Sequence, residues 1–469
     1  MRQVDVAIIG AGTSGLNAFR QVRQVTSNLV LINDGHYGTT CARVGCMPSK
    51  VFIEVANEFA RRKHFQNFGI NGSENLSVNK AQVMKYTRQQ RDWFVDRVME
   101  AVNRIGDKNI KGRARFVEPQ VLEINGERIQ ADKVIIATGS RPIVPTEWQS
   151  LGSKVITTDE FFELPDLPDS MAVIGLGAIG SELGQALARL GIRVVGVELQ
   201  STVCGLSDSA INQVAIDELA KDFELWLGSP AQLSEDASGG VKVETADGHS
   251  TTVDTVLASL GRLPNFENLG LEVFGLDFSN GFNGLINPNT MQLADLPVFV
   301  AGDVTSIKPI LHEASDDGTI AGYNAARQQV QAFKRRVPLS IAFTEPQTVV
   351  VGASLAELEG QDILIGERSF VVQGRTKVMA RNHGLLRVYA ERQTGRLLGS
   401  EMMMPDGEYI GHFLAMAIEH EMTVRDIMVT PFYHPTILEG LDNALNAIAA
   451  QLEGGNQGPV LRKINPPCQ

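Results

Sequence analysis

The chain has 469 residues, 43% hydrophobic and 20% charged, with 45 glycines and 19 prolines. That is an ordinary globular balance, which excludes disorder and collagen-like repeats, and the length allows roughly three domains. Lys and Arg number 42 against 54 Asp and Glu, a formal net charge of −12, so there is no electrostatic footprint for nucleic acid or anionic lipid.

The segment Met1–Gly10 lacks the basic head and long apolar middle of a signal peptide, and no apolar run reaches membrane-spanning length, so a cytoplasmic address is expected. Val4–Ile9 is instead a β-branched run that leads into Gly10-Ala11-Gly12-Thr13-Ser14-Gly15, followed by a helix over Leu16–Val25. Strand, glycine turn and helix together let backbone N–H groups and a helix N-terminus meet a pyrophosphate. The next strand, Leu29–Ile32, ends at Asn33-Asp34, where such a fold usually offers a carboxylate to ribose; Asn33 stands there, with Asp34 one residue on.

Cys41 and Cys46 follow in C-x4-C spacing, with Gly45 between them. Two thiols so spaced at the start of a helix come close enough to bridge if Gly45 distorts the turn. A zinc site wants further ligands nearby, whereas Cys204 and Cys468 lie far off in sequence, so the reading is a redox pair and no metal. Taken alone, the spacing favours two buried free thiols packed as small hydrophobes.

Helices are expected over Val51–Arg62 and Ala81–Ile105, and a buried strand Lys133–Ile136 runs into Ala137-Thr138-Gly139-Ser140. Prolines 142 and 145 mark a first boundary. Met171–Ile174 then opens a second copy of the pattern, with Gly175-Leu176-Gly177-Ala178-Ile179-Gly180, a helix over Ser181–Leu190 and a strand ending at Glu198. A carboxylate there accepts from a free 2′-hydroxyl and repels a 2′-phosphate, which favours NAD over NADP. A strand over Val253–Ala258 and the turn at Gly261 close this unit. Val298–Val300 leads to Gly302-Asp303, a carboxylate at the mouth of a sheet. Lys334-Arg335-Arg336 reads as a solvated linker face. From Val337 on come strands, a Met-rich loop at Met402–Met404 acting as core filler, helices over Glu408–His420 and Ile437–Leu452, and a turn at Phe432-Tyr433-His434-Pro435-Thr436. Cys468 reads as a tail residue.

Two nucleotide-binding turns around a C-x4-C pair, then Gly302-Asp303 and a late His-Pro, resemble the flavin-dependent pyridine nucleotide disulfide oxidoreductases in motif order over essentially the whole chain. The pattern is most similar to the dihydrolipoamide dehydrogenase branch, with glutathione or another small disulfide as the alternative substrate, and a non-catalytic docking or redox-sensing flavoprotein as a further alternative. The resemblance implies an α/β fold with two Rossmann-like domains, for FAD and NAD, and a C-terminal α+β dimerisation domain. Its divisions would be 1–145 (FAD and redox disulfide), 146–268 (NAD), 269–338 (central, completing the FAD site) and 339–469 (interface).

For the site, the resemblance implies that Gly10, Gly12, Thr13, Ser14, Gly15, Asn33, Asp34, Thr40, Lys50, Thr138, Gly139, Gly302 and Asp303 serve FAD. Gly175, Gly177, Ala178, Ile179, Gly180, Glu198 and Gly261 would serve NAD. Cys46 would lie against the flavin and Cys41 would exchange with a small dithiol or disulfide. Lys50 would sit by the flavin N5, paired with Glu182, and His434, oriented by Glu439, would complete the partner's site in a homodimer. Four positions depart from the family pattern. Thr39 replaces a glycine, Arg43 a small polar residue between the cysteines, Phe432 a histidine of lipoamide enzymes, and Ala178 a residue often bulky in glutathione reductases. No paired Arg cluster for peptide carboxylates is evident in the sequence.

Overall fold

The computed structural model describes residues 1–455 and 459–461; Cys468 lies outside them. The first strand, β1 (Arg2–Ile9), is central in a nine-stranded sheet, parallel to β2 (Leu29–Asn33) on one side and to Glu127–Ile136 on the other. Its apolar end, Val6–Ile9, is buried throughout and has the composition of a strand covered on both faces. Val298–Val300 pairs in parallel beyond Glu127–Ile136, so the segment after residue 269 completes the first sheet. One face is covered by α1 (Thr13–Val22) and Leu311–Ala325 packed on each other. Gly318 and Gly322 allow this contact, since a Cβ at either would run into the backbone of Ser14 or Ala18.

The second unit repeats the theme with a five-stranded parallel sheet in the order Glu224–Leu227, Arg193–Glu198, Ser170–Ile174, Thr255–Ala258, Val155–Ile156. The C-terminal unit is a five-stranded antiparallel sheet backed by the helices Gly407–Glu419 and Glu439–Ala449. The expected Met-rich loop is instead the end of its strand Leu397–Met404. Met402, Met403 and Met404 are fully buried there, where flexible thioethers fill both faces of the sheet.

Two helices carry the cysteines: α2 (Thr40–Val44) and α3 (Cys46–Arg61). The second starts earlier than its apolar spacing suggests because it begins at the cysteine itself. Phe52 on α3 is wholly buried and meets Phe161 edge-on, ring centroids 5.4 Å apart. Burial of one such ring contributes about 2–3 kcal/mol, and here it fixes α3 between the first two units. A further helix, α4 (Lys80–Asn103), packs along α3. Among the described residues no helix is long and apolar enough to cross a membrane.

Candidate active site

The two glycine turns are built alike. Gly10 (φ +109°) and Gly175 (φ +93°) each pass a neighbouring strand so closely that a Cβ would strike the backbone of Ala137 or Ser259. A Cβ on Gly15 would strike the carbonyl of Gly10, and one on Gly180 that of Gly175, so both helices start hard against their strands. Gly12 and Gly177, by contrast, have nothing within 4 Å of a would-be Cβ. That open face, at a helix start with no side-chain cap, leaves backbone N–H groups free for a phosphate. A cavity of about 660 Å³ opens on the first turn, reaching Asn33, Asp34, Thr40, Thr138 and Gly139. Its size and donor set fit a dinucleotide.

The residues closing the second strand of each unit also correspond. Glu198 accepts from the Leu176 N–H (2.6 Å) and the Gln200 N–H (3.0 Å). Asn33 accepts from the Ala11 N–H (3.1 Å) and donates to the Gly35 carbonyl (2.8 Å). An amide thus steadies the first turn where a carboxylate steadies the second. Asp34 is exposed beside Arg113, 3.9 Å away. Gly302 (φ +82°) packs against Ser14, and Asp303 accepts from Ser140 Oγ (2.8 Å).

Cys41 and Cys46 stand on either side of the break between α2 and α3. Gly45 makes that break, with φ −124° and ψ −119°, and a Cβ on it would lie 3.1 Å from the Thr40 carbonyl oxygen. Both cysteines are free thiols, and their side chains hydrogen-bond to each other. That bond pushes the Cys41 thiol up, with burial adding to it. It pulls the Cys46 thiol down to about 7, helped by the nearby Lys50 charge. The pair is polarised, with Cys46 the thiolate and Cys41 the donor. Thr39 precedes them at φ +62°, a region costing a β-branched residue about 1–3 kcal/mol, and its hydroxyl accepts from the Ala42 N–H (3.3 Å).

One turn along α3, Lys50 Nζ meets both oxygens of Glu182. Phe343 N–H also donates to Glu182 (2.7 Å), and its ring lies 4.7 Å from Nζ. His434 is elsewhere: its side chain is 81% exposed, with Nδ1 2.9 Å from Glu439 Oε1. Glu439 also accepts from Thr436 N–H (2.9 Å), and His434 holds its carboxyl below the usual range. The fold therefore brings together Cys41, Cys46, Lys50 and Glu182, and presents His434 and Glu439 outward as a separate pair.

Sequence reading missed two sets of residues. Cys41 opens on a cavity of about 580 Å³ between α1, α2 and α4, lined by apolar side chains and by Arg20, Arg23, Arg97 and Arg104. These arginines come from separate stretches of sequence and share one cavity only because α1 faces α4. Arg335 is the second, and it is not solvated as expected but half-buried against Glu313 and Asp317.

Residues 4–330 match the family described as pyridine nucleotide-disulphide oxidoreductase, and residues 338–445 match its dimerisation domain. The dihydrolipoyl dehydrogenase of Thermus scotoductus is 30% identical over 466 residues, covering 96% of this chain and 98% of that protein. That of Geobacillus stearothermophilus is 28% identical over 93% of this chain and 94% of its own. Among solved structures, LpdA from Mycobacterium tuberculosis superposes with a TM-score of 0.82 at 22% identity, covering 95% of this chain and 99% of that one. The HOCl-induced flavoprotein disulfide reductase RclA from Escherichia coli gives 0.81 at 21%, covering 94% and 99%. With the paired glycine turns, the polarised cysteines and a match across nearly its whole length, this chain belongs to the pyridine nucleotide-disulphide oxidoreductase family.

Proposed function

We propose that the chain is an NAD-dependent dihydrolipoamide dehydrogenase, working as a homodimer through its dimerisation domain, with residues 1–145, 146–268, 269–338 and 339–469 as its FAD, NAD, central and interface divisions. The cofactors are FAD and NAD. Gly10, Gly12, Thr13, Ser14, Gly15, Asn33, Asp34, Thr40, Thr138, Gly139, Gly302 and Asp303 hold the first. Gly175, Gly177, Ala178, Ile179, Gly180, Glu198 and Gly261 hold the second. The observation that carries the reading is the polarised thiol pair lying one helical turn from the Lys50–Glu182 ion pair.

In the oxidised protein Cys41 and Cys46 form one disulfide. A substrate thiolate attacks Cys41 Sγ, forming a mixed disulfide and expelling Cys46 as a thiolate, which its low pKa makes a good leaving group. The second substrate thiol, deprotonated, attacks its own sulfur in that mixed disulfide, closing the cyclic disulfide and releasing Cys41. Two protons must leave the substrate: Cys41 takes up one as its thiol is released, and Cys46, stable as a thiolate, does not take the other. His434 is the base, its Nδ1 tied to Glu439 so that Nε2 faces the substrate. It lines no part of the cavity at Cys41, and we assign it to the partner's site. FAD, when bound, supplies the two-electron relay between the Cys41–Cys46 dithiol and NAD.

A second reading draws on the arginines around Cys41. Arg20 and Arg23 line that cavity together with Arg97 and Arg104, which share Glu100 as partner, and this excess of positive charge suits a small disulfide with anionic ends better than neutral lipoamide. Steady-state rates with dihydrolipoamide, dihydrolipoate and glutathione, each tried with both nicotinamide cofactors, separate the two. Fastest turnover of dihydrolipoamide with NAD supports the first reading. A preference for a charged disulfide supports the second, and no turnover of any thiol or disulfide removes both.

A further inference from the structure

Lys334 and Arg336 are exposed, as a linker face should be, and pair with Glu419 and Asp316 at the surface. Arg335 between them turns inward. Its Nη2 lies 2.6 Å from Asp317 Oδ1 and 2.7 Å from Glu313 Oε2, two buried carboxylates one turn apart on the helix Leu311–Ala325. The other oxygen of Asp317 accepts the backbone N–H of Gly302 at 3.1 Å. Gly302 has φ +82°, and Ser14 fills the space a Cβ would need, so its turn is shaped by contacts from outside. The next residue, Asp303, is held from the other side. Ser140 Oγ donates to its carboxylate at 2.8 Å, and Arg262 Nε donates to Ser140 Oγ at 2.7 Å.

We infer that Arg335 is a positioning residue for FAD, orienting the Gly302-Asp303 turn through Asp317 from the segment that leads into the interface domain. The inference rests on the assignment of Asp303 as a FAD ligand. Glu313 and Asp317 are like charges at i, i+4 spacing in a poorly solvated place. Without the guanidinium, Lys308 Nζ, 4.0 Å from Glu313 Oε1, still offsets Glu313, and Asp317 is left to take a proton or turn away. The Gly302 N–H then loses a charged acceptor, and the Asp303 carboxylate loses one of its two constraints. Arg335 touches neither cofactor nor substrate in this scheme.

The test is FAD affinity, measured by flavin fluorescence on apoprotein prepared from the holoenzyme, with the melting temperature of each apo variant as control. Arg335→Gln should weaken FAD roughly tenfold, Arg335→Lys should recover most of that, and Arg336→Gln should match wild type. Combining Arg335→Gln with Asp317→Ala should weaken FAD no further than Asp317→Ala alone, since both act through one contact. Wild-type FAD affinity in Arg335→Gln, even with a lowered apo melting temperature, overturns the proposal, as do fully additive effects of the two changes. Asp303→Asn with unchanged affinity removes instead the assignment of Asp303, and the proposal with it.

Discussion

Lys50 Nζ lies 2.8 Å from Glu182 Oε2 and 3.0 Å from Oε1, across 132 positions of sequence and between the cysteine helix and the helix of the second glycine turn. Glu182 is 4% exposed while Lys50 keeps a third of its surface in water, and Phe343 N–H adds a bond from the C-terminal unit. One carboxylate therefore ties all three parts of the chain together beside the thiols. Glu182→Ala leaves an ammonium with no counter-charge. The expected loss is about 2 kcal/mol, below the about 3–5 kcal/mol of a fully buried pair because Lys50 is partly solvated. Denaturant unfolding of the apoprotein measures it, and Glu182→Gln should lose less, since the amide oxygen still accepts from Phe343.

The same pair adjusts the charge on sulfur that the hydrogen bond between the cysteines sets. Lys50 lowers the Cys46 thiol and Glu182 raises it, with the Cys41 hydrogen bond the larger influence. In reduced protein, alkylation of Cys46 by iodoacetamide should rise with pH to a midpoint near 7, because only the thiolate reacts and it forms above that value. Cys41 should label only at higher pH, and Cys204, buried with its thiol pushed up to about 11, should label only on unfolding. Lys50→Met should move the Cys46 midpoint upward. Peptide mass mapping across a pH series reads all three sites, and equal midpoints for Cys41 and Cys46 would show that the pair is not polarised.

His434 and Glu439 lie 2.9 Å apart at the surface of their own subunit. General acid–base catalysis contributes about 10²–10⁴-fold, so His434→Ala should cut turnover by that range while FAD content stays at the wild-type level. Glu439→Gln keeps an acceptor for the imidazole and should cost less. Mixing inactive Cys41→Ser and His434→Ala subunits tests the assignment across the dimer. Heterodimers contain one intact site only if His434 serves the partner's cysteines, and recovery of activity in the mixture is the expected result.

What the sequence makes legible is local. Both glycine turns are read from about six residues each, because their function is to let one short backbone segment approach another. The break at Gly45 between the cysteines is of the same kind. Glu198 and Asn33 were also placed, yet their shared task of bracing the turn behind them appears only when strand end and turn are seen together. Arg335 and the arginines around Cys41 were not legible, since a charged residue is defined by what it faces and those partners are tertiary. Met402–Met404 failed for a related reason: a strand buried on both faces has no alternation to reveal it.

Arg43 lies between the two cysteines and lines the first cavity, and its guanidinium has no hydrogen-bond or ion-pair partner among the described residues. Arg113 and Arg141, which line the same cavity, are paired with Asp34 and Glu267. Arg43 is thus the arginine there whose charge remains unspent, next to a turn held by Thr39 at φ +62°. A guanidinium in that position meets a pyrophosphate with charge-assisted hydrogen bonds. Arg43→Gln should weaken FAD about three- to tenfold, and the weakening of FAD binding by added salt should be shallower than in wild type, because one cationic contact fewer is screened. Fluorescence titrations of apoprotein at several salt concentrations measure both. An unchanged affinity with an unchanged salt slope would place the Arg43 side chain in solvent rather than on the cofactor.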